Sequence, residues 1–340
     1  MPGILSHDLP PLKVENGGIV DTSTGSAMLL RGINLSGLQY SGPTNALEAA
    51  GITVADIDQI TTDWNGRVIR LPFNQQWALA PDGDDPEQYD CPYLQAIDSV
   101  IERAARNGAY TLLNLHRLDE TVRGIDNKGQ PNYVPPLPNS DSIGLWRQLA
   151  RRYRDEPAVL YDIFNEPHTV LPGDPVPLLG IRDDGSTFPL QGGVVGMPEW
   201  QPWARQLIQA ITSVNPAALL FVSGVSWSFD LTGFPIPDEL QVVYSAHVYP
   251  WSGDNTSIRA AAFGRLAQQG VAVFAAEWGG ADTDIAWGND LGDYFDELQI
   301  GWTAWSWNNY PFLVESPPAP PYTPTAFGAV VRERLRQAPT

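Results

Sequence analysis

Three shortages narrow the reading of this chain before any motif is considered. Cysteine occurs once in 340 residues, at Cys91, so neither an intramolecular disulfide nor a cysteine-based metal cluster can form. A lone cysteine says little about compartment. Lysine occurs only as Lys13 and Lys128, and Lys+Arg 20 against Asp+Glu 39 leaves a formal net charge of −19. So acidic a surface repels phosphate backbones and excludes nucleic acid as a partner. No apolar run reaches the roughly 18 residues of a membrane-spanning helix, so no membrane partner is expected. The opening MPGILSHDLP has neither the basic nor the apolar region of a signal peptide. That fits a cytosolic protein or a mature form whose signal has been removed.

What is present describes a globular protein. The chain is 43% hydrophobic and 17% charged, with 31 Gly and 31 Pro spread between apolar runs as loop punctuation. No internal repeat is visible, and low complexity is confined to Ser316-Pro317-Pro318-Ala319-Pro320-Pro321, a stiff loop. We read one domain over residues 1–340, with residues 1–12 as a loose tail.

Residues 13–22, KVENGGIVDT, have the form of a β-hairpin turning at Asn16-Gly17-Gly18, placed to plug one end of a barrel. Eight short apolar runs follow, at 29–35, 67–72, 109–116, 159–167, 218–223, 242–247, 271–277 and 301–307. Helical patterns separate most of them, around 54–62, 92–106, 143–153, 199–214, 257–269 and 285–298, with a last helix at 325–337. The weak unit is 223–242, where Gly233-Phe234-Pro235-Ile236-Pro237 leaves room for one helical turn. Long loops are expected at 73–90, 117–139, 167–198 and 308–324. Alternation of this kind means parallel strands joined by crossovers, and eight of them imply an α/β fold, a (β/α)8 TIM barrel with an N-terminal β-hairpin. A doubly wound open sheet is the alternative. It lacks a phosphate loop, since Arg31-Gly32-Ile33-Asn34 is not G-x-G-x-x-G.

In such barrels chemistry sits at the C-terminal strand ends. The fourth run, VLYDIFNEP, stops at Asn165-Glu166-Pro167, where proline ends the strand and biases Glu166 toward an extended backbone. The seventh, VAVFAAE, also ends in a carboxylate, Glu277, followed by Trp278. Other strand ends contribute Arg70, Asn74, Trp77, His116, Arg117, Trp227, His247, Tyr249, Trp251, Trp305 and Trp307. Two glutamates about 5 Å apart can hydrolyse a glycosidic bond with retention, if one is ionised and the other protonated. Arg70 near Glu277 would lower the pKa of that carboxyl, and desolvation would raise that of Glu166. Among the 12 Trp, those at strand ends offer flat faces on which the C–H face of a pyranose can stack.

The ordered set Arg70, His116, Asn165-Glu166-Pro167, His247-x-Tyr249, Glu277 and Trp305 resembles glycoside hydrolase family 5, the cellulase family, over roughly residues 29–310. The resemblance implies Glu166 as acid/base, Glu277 as nucleophile, Asn165 as partner of the sugar 2-hydroxyl, and Arg70 and Tyr249 as groups orienting the nucleophile. It further implies that His116 and His247 line the subsite beside the cleavage point, with Trp305 as sugar platform. Trp307 competes for that role, because both would project from one side of the strand. Trp227 is a further substrate-binding candidate.

Bland readings apply to the rest. Three histidines, His116, His168 and His247, could suggest a metal, but the first strand has no H-x-H, so we expect no metal and no cofactor. His7 falls in the tail, Trp64, Trp146, Trp200 and Trp203 fall on or beside helices as packing, and Asp82-Gly83-Asp84-Asp85 is a solvated acidic turn. The expectation is a retaining endo-β-glycanase, an endo-β-1,4-glucanase or else a mannanase, xyloglucanase or mixed-linkage glucanase. A non-catalytic carbohydrate-binding barrel would keep the aromatics without needing the acid pair. A monomer acting on a poly- or oligosaccharide is expected, and the family resemblance implies an extracellular one.

Overall fold

The structure is a computed structural model that describes residues 9–126, 128–236, 241–253 and 255–337. Eight parallel strands close into a barrel in chain order: Arg31–Asn34, Val68–Asn74, Tyr110–Arg117, Val159–Asp162, Leu220–Ser223, Val242–Val248, Val273–Trp278 and Gly301–Ala304. The eighth closes the ring on the first, with Trp302 opposite Arg31. Every strand residue is buried, which is why these segments read as nearly continuous apolar runs rather than alternating ones.

Helices cover the outside. Pro92–Arg106 starts with proline in its first turn, where no N–H partner is lost. Ser140–Arg152 is capped by the Asn139 side chain, which accepts the Ser142 N–H at 3.2 Å. Met197–Thr212, Ile285–Glu297 and Ala326–Gln337 complete the long ones. The four indoles expected to pack, Trp64, Trp146, Trp200 and Trp203, are fully buried. Two of them also tie helices to strand ends below the barrel mouth: Trp146 Nε1 donates to the Ile163 carbonyl and Trp200 Nε1 to the Ser223 carbonyl, both at 2.8 Å.

The hairpin is formed by Leu12–Glu15 and Gly18–Asp21. Its Leu12 and Ile19 join Leu30, Val68, Tyr110, Leu160 and Leu219 in one buried cluster at the starts of the barrel strands, so it covers the N-terminal end of the barrel. The strand takes in Leu12, which the sequence had put in the tail; residues 1–8, His7 among them, lie outside the described residues. The segment after the fifth strand differs from expectation. Among its described residues there is no helical turn; Ser226, Trp227 and Ser228 run consecutively left-handed, with φ of 55°, 62° and 58°. Pro237 lies outside the described residues. The loop 167–198 also holds an unexpected hairpin, Leu179–Ile181 with Thr187–Pro189, and its signal was the Asp184-Gly185 pair between them. Among the described residues no helix is long and apolar enough to cross a membrane.

Candidate active site

The C-terminal ends of the strands open into a cavity of about 700 Å³, bordered among others by His116, Glu166, Trp227, Tyr249, Glu277 and Trp305. Glu166 reaches it from a backbone held on both sides. The Asn165 N–H donates to the Leu115 carbonyl at 2.9 Å, and the Glu166 carbonyl receives His168 Nδ1–H at 2.6 Å. These bonds select a left-handed Glu166, φ 52°, in place of the extended conformation that Pro167 alone favours. The conformation costs roughly 1–2 kcal/mol, and such strain persists only where surrounding bonds hold it.

Glu277 lies opposite His247, at a register shift between the sixth and seventh strands. Both of its oxygens are engaged: Oε1 accepts from Arg70 Nη1 at 2.5 Å and Oε2 from the Tyr249 hydroxyl at 2.7 Å. His247 Nδ1 lies 2.8 Å from Glu166 Oε1 and 3.6 Å from Glu277 Oε2. An oxygen of each glutamate and a ring nitrogen of His247 fall within 4.8 Å of one another. That spacing alone would suit a cation. The guanidinium and the phenol already occupy Glu277, however, and a metal ion would be repelled by Arg70.

Burial pushes Glu166 up to about 7, against the pull of Arg70 and Asn165. Burial raises Glu277 as well, opposed by His247, Arg70 and the Tyr249 hydroxyl. Arg70 does pull the Glu277 carboxyl down, as expected, but desolvation outweighs the guanidinium and the net shift is upward. Of the two, Glu277 has donors on both oxygens, so the negative charge of the pair resides there. His247 is held down to about 3 and His168 to about 4, mainly by desolvation, and His116 is held well below its usual value for the same reason. All three rings are neutral near pH 7.

Most of the sequence candidates converge. Arg70 Nη2 donates to Asn165 Oδ1 at 2.8 Å, and Asn165 Nδ2, buried, has no partner among the described residues. His116 stacks beside Trp305, ring centres 5.8 Å apart, and Trp305 Nε1 is tied to the Tyr310 carbonyl at 3.0 Å. Trp227 forms part of the cavity wall. At the rim Trp251 stacks on Tyr249, with centres 4.5 Å apart, and Lys128 Nζ lies 5.6 Å from its ring centre. Arg117 sits over Tyr40 and Tyr133.

Trp307 is a correction. It is fully buried, donates Nε1–H to Asp56 Oδ1 at 3.0 Å and meets Trp64 edge-on, so it does not reach the cavity. Pairing of the eighth strand ends at Ala304, and the Trp307 N–H turns to the Asn34 carbonyl; the two-residue alternation does not carry through 305–307. Trp77, Trp278 and Asn74 also point elsewhere: Trp77 against Tyr93, Trp278 against Trp302, and Asn74 onto the Gln76 N–H. The sequence reading missed Asn34, Asn114 and Asp162, which surround Arg70 and its partners. Their signal was available, since a charged residue inside a buried strand requires a partner.

Comparison with known proteins agrees with this architecture. A family model described as Cellulase (glycosyl hydrolase family 5) matches residues 22–311. An endoglucanase of Paenibacillus polymyxa is 29% identical over 339 residues, covering 86% of this chain and 79% of that protein. Endoglucanase 5 of Pectobacterium carotovorum is 24% identical, with 87% of this chain covered, and this chain spans 50% of that protein's length. Among solved structures, a beta-glucanase from Saccharophagus degradans superposes with a TM-score of 0.74 at 20% identity, covering 98% of this chain and 95% of that one. The catalytic domain of Thermobifida fusca endoglucanase Cel5A, solved with cellotetraose, gives 0.67 at 20% identity, covering 96% and 97%. Since the family match runs from just after the N-terminal hairpin to beyond the last barrel strand, this chain is a glycoside hydrolase and belongs to glycosyl hydrolase family 5, the cellulase family.

Proposed function

We propose that this enzyme is a retaining endo-β-1,4-glucanase working by double displacement. The observation that carries the reading is the separation of Glu166 and Glu277 oxygens, within 4.8 Å. Retaining enzymes hold their carboxyls about 5–5.5 Å apart, whereas inverting ones leave room for a water at roughly 6.5–9.5 Å. In this reading Glu277, charged and held by Arg70 and Tyr249, attacks the anomeric carbon. Glu166, protonated up to about 7, delivers its proton to the departing glycosidic oxygen. It then takes a proton from the water that opens the glycosyl-enzyme. The free Asn165 Nδ2 is the donor for the sugar 2-hydroxyl, Trp305 with His116 forms the floor at the cleavage point, and His247 fixes the Glu166 carboxyl. Trp227 supports the sugar on the leaving side.

The barrel acts as one catalytic unit on poly- or oligosaccharide, as a monomer and outside the cell, where a polymer is accessible. Another β-glycan remains the second reading, because loops beyond the central cavity choose the chain. Proton NMR of the first anomer released from a cello-oligosaccharide tests the mechanism: β product supports it, and α product overturns it. Reducing-sugar release from a panel of soluble β-glycans tests the substrate.

A further inference from the structure

Arg70 is fully buried and directs its N–H groups at four acceptors. Nε meets Asp162 Oδ2 at 2.8 Å, Nη1 meets Asn34 Oδ1 at 2.9 Å and Glu277 Oε1 at 2.5 Å, and Nη2 meets Asn165 Oδ1 at 2.8 Å. Because a guanidinium is planar and rigid, fixing Nε fixes the direction of both terminal nitrogens. Asp162 is itself fully buried on the fourth strand. Its Oδ2 also receives Asn114 Nδ2 at 3.0 Å, and Asn114 Oδ1 in turn lies 2.9 Å from His116 Nδ1. Oδ1 of Asp162 has no partner among the described residues. One buried cation thus lies between two carboxylates, and how much of its charge Glu277 feels depends on Asp162.

We propose that Asp162 is a positioning residue that aims Arg70 at Glu277 and Asn165 and divides the guanidinium charge between itself and Glu277, so that Glu277 keeps its reactivity toward the anomeric carbon. The proposal rests on the assignment of Glu277 as nucleophile. The charged and titratable groups facing Glu277 are Arg70 from the second strand, Glu166 just after the fourth, and His247 and Tyr249 from the end of the sixth, while Asp162 on the fourth strand pairs with Arg70. Tyr40 after the first strand and His116 on the third lie within electrostatic reach of the same cluster. The imidazoles are neutral and Glu166 is protonated in the working range, so Asp162 is the group whose charge competes with Glu277 for Arg70.

The test is covalent labelling by 2,4-dinitrophenyl 2-deoxy-2-fluoro-β-cellobioside. Its leaving group needs no acid, so the pH dependence of labelling reports the nucleophile alone. In the wild type, mass spectrometry should find the label on Glu277; a label elsewhere overturns the nucleophile assignment, and this proposal with it, before any variant is made. Asp162→Asn keeps an acceptor for Nε and removes the charge. It should move the acid limb of labelling down by about one pH unit and slow labelling on the plateau several-fold. A folded Asp162→Asn protein whose acid limb coincides with that of the wild type would reduce Asp162 to a structural ion pair and overturn the proposal. If that variant does not fold, carbon-13 titration of the wild type decides. Asp162 must be ionised throughout the range of activity, and a proton found on it there overturns the proposal equally.

Discussion

The Trp227 indole lies flat on the His168 imidazole, ring centres 3.6 Å apart and planes 12° apart. The same imidazole donates Nδ1–H to the Glu166 carbonyl, so one buried ring supports both an aromatic wall of the cavity and the backbone of a glutamate. Trp227 is 37% exposed. Its removal forfeits roughly 1–3 kcal/mol of contact with a sugar and little of the core. Trp227→Ala should therefore lower kcat/KM on cello-oligosaccharides about tenfold or more while the melting temperature hardly moves. His168→Ala should also lower kcat, and His168→Asn, which keeps a donor, should restore much of it. Wild-type kinetics in Trp227→Ala would remove this tryptophan from the substrate path.

Glu166→Ala and Glu277→Ala should each abolish polymer hydrolysis, with different residual chemistry. Glu166→Ala should still react with a dinitrophenyl glycoside, and azide should accelerate its turnover with retention. Glu277→Ala should gain no retained product from azide. Equal, azide-insensitive losses in both variants would contradict the division of roles.

Burial holds the Glu166 proton up to about 7, so kcat/KM on polymer should fall as pH rises through about 7 and fall again on the acid side as Glu277 is protonated. With a dinitrophenyl cellobioside the basic limb should flatten, because that leaving group needs no proton. Stability carries a matching sign. A folded-state value above the unfolded 4.5 gives a contribution fully present below the unfolded value and lost as pH rises through the folded one. Glu166→Gln should accordingly melt above the wild type near about pH 8 and with no difference near about pH 4. An unchanged difference across that range would contradict it.

The two tryptophans of the last strand end should separate cleanly. Trp305→Ala should stay folded, with kcat and kcat/KM both reduced if the distorted ring of the transition state uses the platform more than the ground state does. Trp307→Ala empties a fully buried site and strands its Asp56 contact, which should cost about 3–5 kcal/mol in denaturant unfolding. A stable Trp307→Ala enzyme with lost activity beside an active Trp305→Ala would reverse the assignment.

Exhaustive dialysis against a strong chelator should leave the rate unchanged, because two carboxyls suffice for this chemistry and Arg70 with Tyr249 already engages both Glu277 oxygens. Activity lost on dialysis and restored by a divalent ion would overturn that.

Read from residues alone, the strands and their order were legible because burial on both faces writes itself as an apolar run. Asn165-Glu166-Pro167 and the terminal Glu277 marked two strand ends for the same local reason. Single-residue geometry was less so. Local preference put Glu166 in an extended conformation, and bonds to Leu115 and His168 made it left-handed. Period-two alternation paired Trp305 with Trp307, and the end of strand pairing at Ala304 parted them.

What the sequence determined by itself was the alternation of strands and helices, the polar residue at each strand's end, and therefore which side chains were available to the mouth of the barrel. What only the tertiary structure decided was which of them meet. Arg70 lies 207 residues from Glu277 and 92 from Asp162, and no local pattern encodes such a pairing. Closure of the barrel sets those distances, and with them the desolvation that lifts both glutamates, because burial and Coulomb energy depend on separation in space rather than along the chain.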